Sequence, residues 1–251
     1  MSTSGDQFRR IDLHIHTPLS ACYIDSMRPE AGRHTTPKEI VEAALSAGLD
    51  AIAITDHNGA EMIDSNRAVA SDRGLAVFPG TELSTRGGHL LAIFDVDAGS
   101  AVVRDLIGAI GFRREQWGDG FQRSEVWLDE VMAEIVARGG IAIPAHVDRE
   151  PRGFLASDER PSDKARIYGH QALTALEITD PRRRDRWTQG SDPRYPLPRP
   201  CIQNSDAHAP EEIGRRPTLF RMNRINLAEL REALADYSNR VRFPDEVGPD
   251  P

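Results

Sequence analysis

The chain has 251 residues, 31 Lys+Arg against 39 Asp+Glu for a formal net charge of −8, eight histidines and two cysteines. That length fits one large domain or two small ones, and an α/β barrel commonly fills it alone. The acidic balance argues against charge-driven binding to nucleic acid or membrane, and two cysteines exclude a disulfide framework or a four-cysteine zinc site. MSTSGDQFRR lacks an apolar signal core and no run approaches a membrane span, so the expected compartment is the cytoplasm.

Short apolar runs alternate with amphipathic segments. IDLHIH (11–16) has period two and reads as a strand; TPKEIVEAALSAGL (36–49) reads as a helix with Thr36 as N-cap, Pro37 in its first turn and Gly48 closing it. AIAITDH (51–57) is the next strand, followed by a helix from about Glu61 to Asp72. LAVFPGTEL (75–83) and HLLAIFDV (89–96) are strands separated by the turn Thr85–Gly88. Helices are expected around Val102–Ile110 and Ser124–Arg138, the second with Val126, Val131, Ile135 and Val136 on its core face. GIAIPAHV (140–147), ALEITD (175–180) and CIQNSDAH (201–208) read as strands, 181–200 as a Pro- and Arg-rich loop, and LAELREALADY (227–237) as a closing helix. The alternation indicates an α/β fold with a largely parallel sheet, whose reactive residues follow the strands where such folds build their sites.

His14 and His16 lie two apart on a strand and face the same way, a ready metal chelate. Asp206 and His208 repeat that spacing; Asp56 and His57, Glu82, His89 and His146 mark other strand ends. Asp56 and His57 point opposite ways, which makes His57 the ligand and Asp56 an orienting residue. Six of eight histidines at strand ends, converging with Glu82 and Asp206 on one barrel mouth, would be electrostatically frustrated without cations. Nitrogen and oxygen donors suit Zn²⁺, Mn²⁺ or Fe²⁺.

The series DLHIHT, ITDHN, PGTELS with GHLLAIF, PAH and NSDAH resembles the PHP (polymerase and histidinol phosphatase) family over roughly Ile11 to Phe243. The resemblance implies a distorted (β/α)7 TIM-like barrel at 9–243, with 1–8 and 244–251 as flexible termini, holding two or three divalent metal ions. By the same resemblance His14, His16, Glu82 and Asp206 surround one metal, Glu82 bridges to a second held by His89 and His146, and a third takes His57 and His208. Many members place an Asp five residues after the second histidine, where this chain has Ala21; either Cys22, Asp25 or His34 substitutes, or the third site is weak or empty. IGRRPTLFRMN through NRVRF also resembles PHP domains associated with large ATPases, which implies an ATPase partner protein.

The expected activity is hydrolysis of a small phosphorylated substrate, a nucleotide-like or other phosphomonoester, by metal-activated water. Arg149 and Arg152, just after His146, are the substrate-binding candidates, and Arg182, Arg183, Arg184 and Arg186 the next. Glu177 is a supporting residue or part of the rim, and Cys201 reads as core. The alternatives are a regulatory module partnering an ATPase and a nuclease acting on polynucleotide ends; nucleic acid is not favoured, and no membrane is expected. An amidohydrolase-type barrel with a carboxylated lysine is disfavoured, because the only lysines are Lys38 and Lys164 and neither ends a strand.

Overall fold

In the computed structural model, residues 7–23 and 34–247 are described. The chain runs β1 (Gln7–Ile15), α1 (Pro37–Ser46), β2 (Ala51–Ile54), α2 (Ile63–Ala70), β3 (Ala76–Thr85), β4 (Gly88–Ile93), α3 (Ser100–Ala109), α4 (Leu128–Ala137) and β5 (Ile141–Pro144). It continues through α5 (Pro161–Gly169), β6 (Leu176–Glu177), α6 (Arg184–Thr188), β7 (Cys201–Ile202), β8 (Thr218–Met222), α7 (Leu227–Ala235), α8 (Tyr237–Arg240) and β9 (Val241–Arg242). Local chemistry explains the best-defined start: the Thr36 side chain accepts from the Glu39 N–H while the Glu39 carboxylate accepts from the Thr36 N–H. Gly48, at φ +68°, then turns the chain out of α1 into β2 at little steric cost.

The architecture is mixed α/β. Seven strands form a curled sheet in the order β5-β4-β3-β2-β1-β8-β9, and β6 and β7 form a parallel pair. Parallel bridges Ala142↔Leu173 and Ile15↔Ala207 connect that pair to β5 on one side and to β1 on the other. Successive residues of a strand face opposite ways, and the core divides accordingly. Ile52, Ile54, Val77, Leu90 and Ala92 pack with residues of α1 to α6, such as Ile40, Ile63, Val103, Val131, Ile167 and Trp187. Ala51, Ala53, Phe78, Leu91 and Ile143 pack instead on one another and on Leu227, Leu230 and Leu234 of α7. Burying each such Ile, Leu or Phe contributes about 1.5–3 kcal/mol.

The sheet is less parallel than the alternation of elements suggests. β1, β2 and β3 are parallel, but β4 is antiparallel to β3 and to β5, and β8 to β1. Only Arg86 and Gly87 separate β3 from β4, and a connection that short makes a hairpin, whereas a parallel crossover needs a dozen residues or more. The strand expected at 201–208 ends at Ile202, because side chains replace the ladder beyond it. Asn204 Oδ1 accepts the Leu13 N–H at 2.8 Å, and the Asp12 carboxylate accepts the Ser205 N–H at 3.1 Å and its hydroxyl. Val136, expected in the core, is exposed; the buried face of α4 is Leu128, Val131, Met132 and Ile135. Gln7 and Phe8, expected in a flexible terminus, pair with Met222 and Arg221. Pro244–Glu246 form a short 3-10 turn, and the loop expected at 181–200 contains α6. No helix among the described residues is long and apolar enough to cross a membrane.

Candidate metal centre

β1 carries one extra residue against β2 between Asp12 and Ile15, a bulge that re-aims the side chains at its end. There the Nε2 atoms of His14 and His16 lie 3.1 Å apart. Asp206 Oδ1 is 3.2 Å from each, and Glu82 Oε2 is 3.3 Å from each. Glu82 sits at the centre of the cluster. Its Oε1 is 2.7 Å from His89 Nδ1 and 2.9 Å from His146 Nε2, and its Oε2 is 2.9 Å from His57 Nδ1. His208, half-buried at the mouth, stacks on His16 with centroids 4.2 Å apart. The other seven candidate ligands are buried. Glu82 is not at the end of a strand: β3 stops pairing with β2 at Pro79 and runs on to Thr85 against β4.

A second layer fixes which ring nitrogens carry protons. Glu177 accepts from His14 Nδ1 at 3.1 Å through both oxygens, and its charge leaves His14 Nε2 as the lone-pair atom of the neutral ring. Ser20 donates its hydroxyl to Asp56 at 2.7 Å and so accepts from His16 Nδ1 at 3.0 Å, which frees His16 Nε2 in the same way. His208 Nδ1 donates to the Asp206 carbonyl at 2.8 Å. Lone pairs from His14 and His16 thus face one another and two carboxylate oxygens. His57 Nδ1 and Glu82 Oε2, although 2.9 Å apart, lack hydrogen-bond geometry and have no other hydrogen-bond partner among the described residues. Acceptors converging without donors between them fit divalent cations. Among the described residues the donor atoms form three such groups, each within 4.8 Å: His14, His16, Glu82 and Asp206; His57, Glu82 and His89; and His16, Cys22, His57 and His208.

Without a cation, protons on the imidazoles take that place. Burial opposes charge on His14, yet the carboxylates of Glu177, Asp206 and Glu82 hold its pKa well above the usual histidine value. Burial likewise opposes charge on His16, but Asp206 and Glu82 raise it to about 9. Burial would raise Glu82 and Asp206; the imidazoles around them keep both well below the carboxylate range. Burial lowers His89 and His208 to about 4. His146 and Asp206 also adopt positive φ, +31° and +51°, conformations that cost energy in side-chain-bearing residues and are held here by their surroundings.

Asp56 is not in the cluster. It accepts from the Thr17 N–H and from the hydroxyls of Thr17 and Ser20, each at 2.7 Å, and so acts on His16 through Ser20. Arg149 and Arg152 both line the mouth, a cavity of about 240 Å³. Arg149 donates to Asp206 Oδ2 at 2.6 Å, and Arg152 to the Gly120 carbonyl at 3.2 Å. The arginines of 182–186 lie elsewhere, neutralised by Asp180, Glu246 and Asp192. Cys22 is exposed and lines the mouth; His34 is exposed and belongs to none of the donor groups; Asp25 lies outside the described residues. Cys201 is buried. Sequence reasoning missed Asp12, Ser20, Asn204 and Ser205. Asp12 carried a signal, since it precedes His14 and His16 at the same spacing of two.

The family described as PHP-associated matches residues 197–236, which include Asp206 and His208. Over 87 residues the chain is 29% identical to an uncharacterized protein of Methanocaldococcus jannaschii, covering 34% of this chain and 50% of that protein. Among solved structures, the lesion-specific endonuclease PfuEndoQ of Pyrococcus furiosus superposes with a TM-score of 0.66 at 19% identity, covering 94% of this chain and 57% of that one. A two-domain protein of Bacteroides vulgatus, containing a predicted PHP-like metal-dependent phosphoesterase, gives 0.63 at 17% identity, covering 96% of this chain and 65% of that one. The chain therefore spans less than two thirds of these relatives. At such identities the superpositions speak for the fold: the chain has the fold of these PHP-like proteins, and its segment 197–236 matches the PHP-associated family.

Proposed function

We propose that this chain is a metal-dependent hydrolase of phosphate esters, acting on a small phosphomonoester. One observation carries the reading: His14 Nε2, His16 Nε2, Glu82 Oε2 and Asp206 Oδ1 converge as acceptors, with the other nitrogens of both rings occupied by Glu177 and Ser20. His14, His16, Glu82 and Asp206 would hold one cation, and Glu82, His89 and His146 a second. Zn²⁺, Mn²⁺ or Fe²⁺ suit these donors. Divalent cations held there would supply an activated water and clamp the phosphoryl oxygens. The chain does the rest. Glu177, Ser20 and Asp56 keep the ligating nitrogens aimed inward, Arg149 and Arg152 offer charged donors to a phosphate entering the mouth, and Glu82 keeps the two groups adjacent. In this reading β1 to β7 close into a distorted seven-stranded barrel, with β8 and β9 as additions beside β1, and the protein works in the cytoplasm.

A second reading, a nuclease acting on polynucleotide ends, is favoured by one feature. Beside the mouth lies a second cleft of about 340 Å³ that shares His89, Gly120, Phe121 and Arg152 with it. Phe121 is 84% exposed on their common rim, and the Arg152 guanidinium stacks on its ring at 4.5 Å. An exposed aromatic beside a charged groove is a platform for an unpaired base.

The test is a metal count on purified protein beside turnover of nucleoside monophosphates, bisphosphates and single-stranded oligonucleotides, with His16→Ala and Asp206→Ala as controls. Bound metal, with turnover lost in both controls, is the expected result. Cleavage of oligonucleotides alone selects the second reading. Stoichiometric metal without hydrolysis would mark a regulatory module for a partner such as an ATPase, and absence of tight metal binding would overturn the assignment.

A further inference from the structure

Cys22 lies where the chain departs from an all-nitrogen-and-oxygen donor set. Ala21 and Cys22 line the mouth together, and Ala21 carries no donor atom. The Cys22 thiol is within hydrogen-bonding reach of His57, and its sulfur lies within 4.8 Å of donor nitrogens of His16, His57 and His208. His57, 5% exposed, has a buried Nδ1 without a hydrogen-bond partner. His208 spends its Nδ1 on the Asp206 carbonyl, which leaves Nε2 to bind. An imidazole nitrogen has one lone pair and serves one cation, so His16, committed beside His14, does not count twice. Three protein donors remain for a further cation: Cys22, His57 and His208.

Resting on the metal-centre reading above, we infer that Cys22 is a ligand to this further cation, which makes the position a thiolate site open at its mouth. Coordination replaces the thiol proton by the metal, because the thiolate is the ligating form. Two imidazoles and a thiolate suit Zn²⁺ or Co²⁺ rather than Mg²⁺, Ca²⁺ or Mn²⁺, and three protein donors leave a coordination position for solvent or a phosphate oxygen.

The experiment is a Co²⁺ titration of the metal-free full chain, reading cobalt content and near-ultraviolet absorption together. A sulfur-to-cobalt charge-transfer band is expected on loading. Cys22→Ser should abolish the band and lose about one equivalent of cobalt per chain, whereas Cys22→Asp should abolish the band and keep the cobalt. Alkylation with iodoacetamide supplies a readout in the unmutated protein: Cys22 should be labelled in the metal-free chain and protected on loading. Cys201, 1% exposed, is the internal reference that stays unlabelled in both. Cobalt bound without a charge-transfer band, or equal labelling of Cys22 with and without metal, overturns the inference and leaves the other donor groups standing. Failure to bind cobalt at all removes the metal-centre reading, and this inference with it.

Discussion

Replacing Glu177 by Gln preserves shape and removes one buried charge. Oε1 accepts from Asn204 Nδ2 at 3.0 Å and Oε2 from the His146 N–H at 2.8 Å, and both face His14 Nδ1 at 3.1 Å. An amide turns one of those ends into a donor, so a buried donor must face Asn204 or His146 whichever way the side chain flips. An unsatisfied buried group costs about 1–3 kcal/mol, and in a chain of this length each kcal/mol lowers the thermal midpoint by about 2–4 °C. The metal-free variant is therefore expected to melt about 2–12 °C lower. Separately, His14 Nδ1 loses the carboxylate that fixes its tautomer, and loss of such a partner weakens metal binding about 10–100-fold, or about 1.4–2.8 kcal/mol. The assays are thermal unfolding in chelator and competition for metal against a chromogenic chelator. A variant that melts lower as expected yet binds metal within about threefold of the unmutated chain would reduce Glu177 to packing and refute the tautomer argument.

Metal-free stability should be highest near pH 6.5. His16, raised to about 9, contributes stability that is complete below 6.5 and lost as pH rises through 9, whereas His89 and His208, lowered to about 4, cost stability as pH falls from 6.5 to 4. Urea midpoints across that range check the shape, and a midpoint rising between pH 7 and 9 would contradict it. Metal loading at pH 7 should release protons from His14 and His16, read as a buffer-dependent heat in calorimetry; a buffer-independent heat would count against the protonated metal-free cluster. Gly120→Ala would set a Cβ 2.7 Å from His57 Nε2 and should weaken metal binding about tenfold or more. Gly108→Ala, with open space around it in α3, should leave metal binding alone and add about 0.5–1 kcal/mol of stability; equal metal affinity in the two variants would show that the His57 ring yields freely. Arg152→Ala should raise KM for a phosphate ester about tenfold or more through loss of a charged donor, and Arg149→Ala should in addition weaken metal binding, because it frees Asp206 Oδ2. An unchanged KM in both would place phosphate recognition elsewhere.

What could be read in the sequence was what local pattern encodes. Thr36, Pro37, Glu39 and Gly48 mark α1 because capping acts over three or four residues. The donors were legible because each lies in or beside an apolar strand pattern: His14 inside β1, Glu82 inside β3, His89 at the start of β4, His146 just after β5. α4 was misphased for a local reason too: it begins at Leu128 rather than Ser124, and the run 128, 131, 132, 135 leaves residue 136 off the buried face. The layer behind the donors was not legible. Glu177 meets His14 across 163 residues of sequence, and Ser205 meets Asp12 across 193; no periodicity marks a contact between two chain segments that far apart. The antiparallel addition of β8 to β1 escaped notice for the same reason, since TLFRM has the look of a strand but nothing in it names its partner.

Those long-range contacts bear on what the net charge means. Segments near both chain ends meet at β1, where buried Asp12, its pKa raised by burial, accepts from Ser205, Gly214 and His14. The full donor set therefore comes from segments that only the folded chain brings together, and a cation binds the native state more tightly than the unfolded chain, which keeps only local pairs such as His14 and His16. Occupancy at 100 times the dissociation constant contributes about 2.7 kcal/mol per site, a large share of the 5–15 kcal/mol on which a domain of this kind stands. The formal −8 counts neither protonated histidines nor cations. The surface arginines of 182–186 are neutralised where they stand, by Asp180, Asp192 and Glu246. Arg152, with Arg149 once a cation has taken over Asp206 and with the cations the donors hold, then concentrates positive charge at one mouth, so an anion meets attraction at the donors and repulsion over much of the remaining surface.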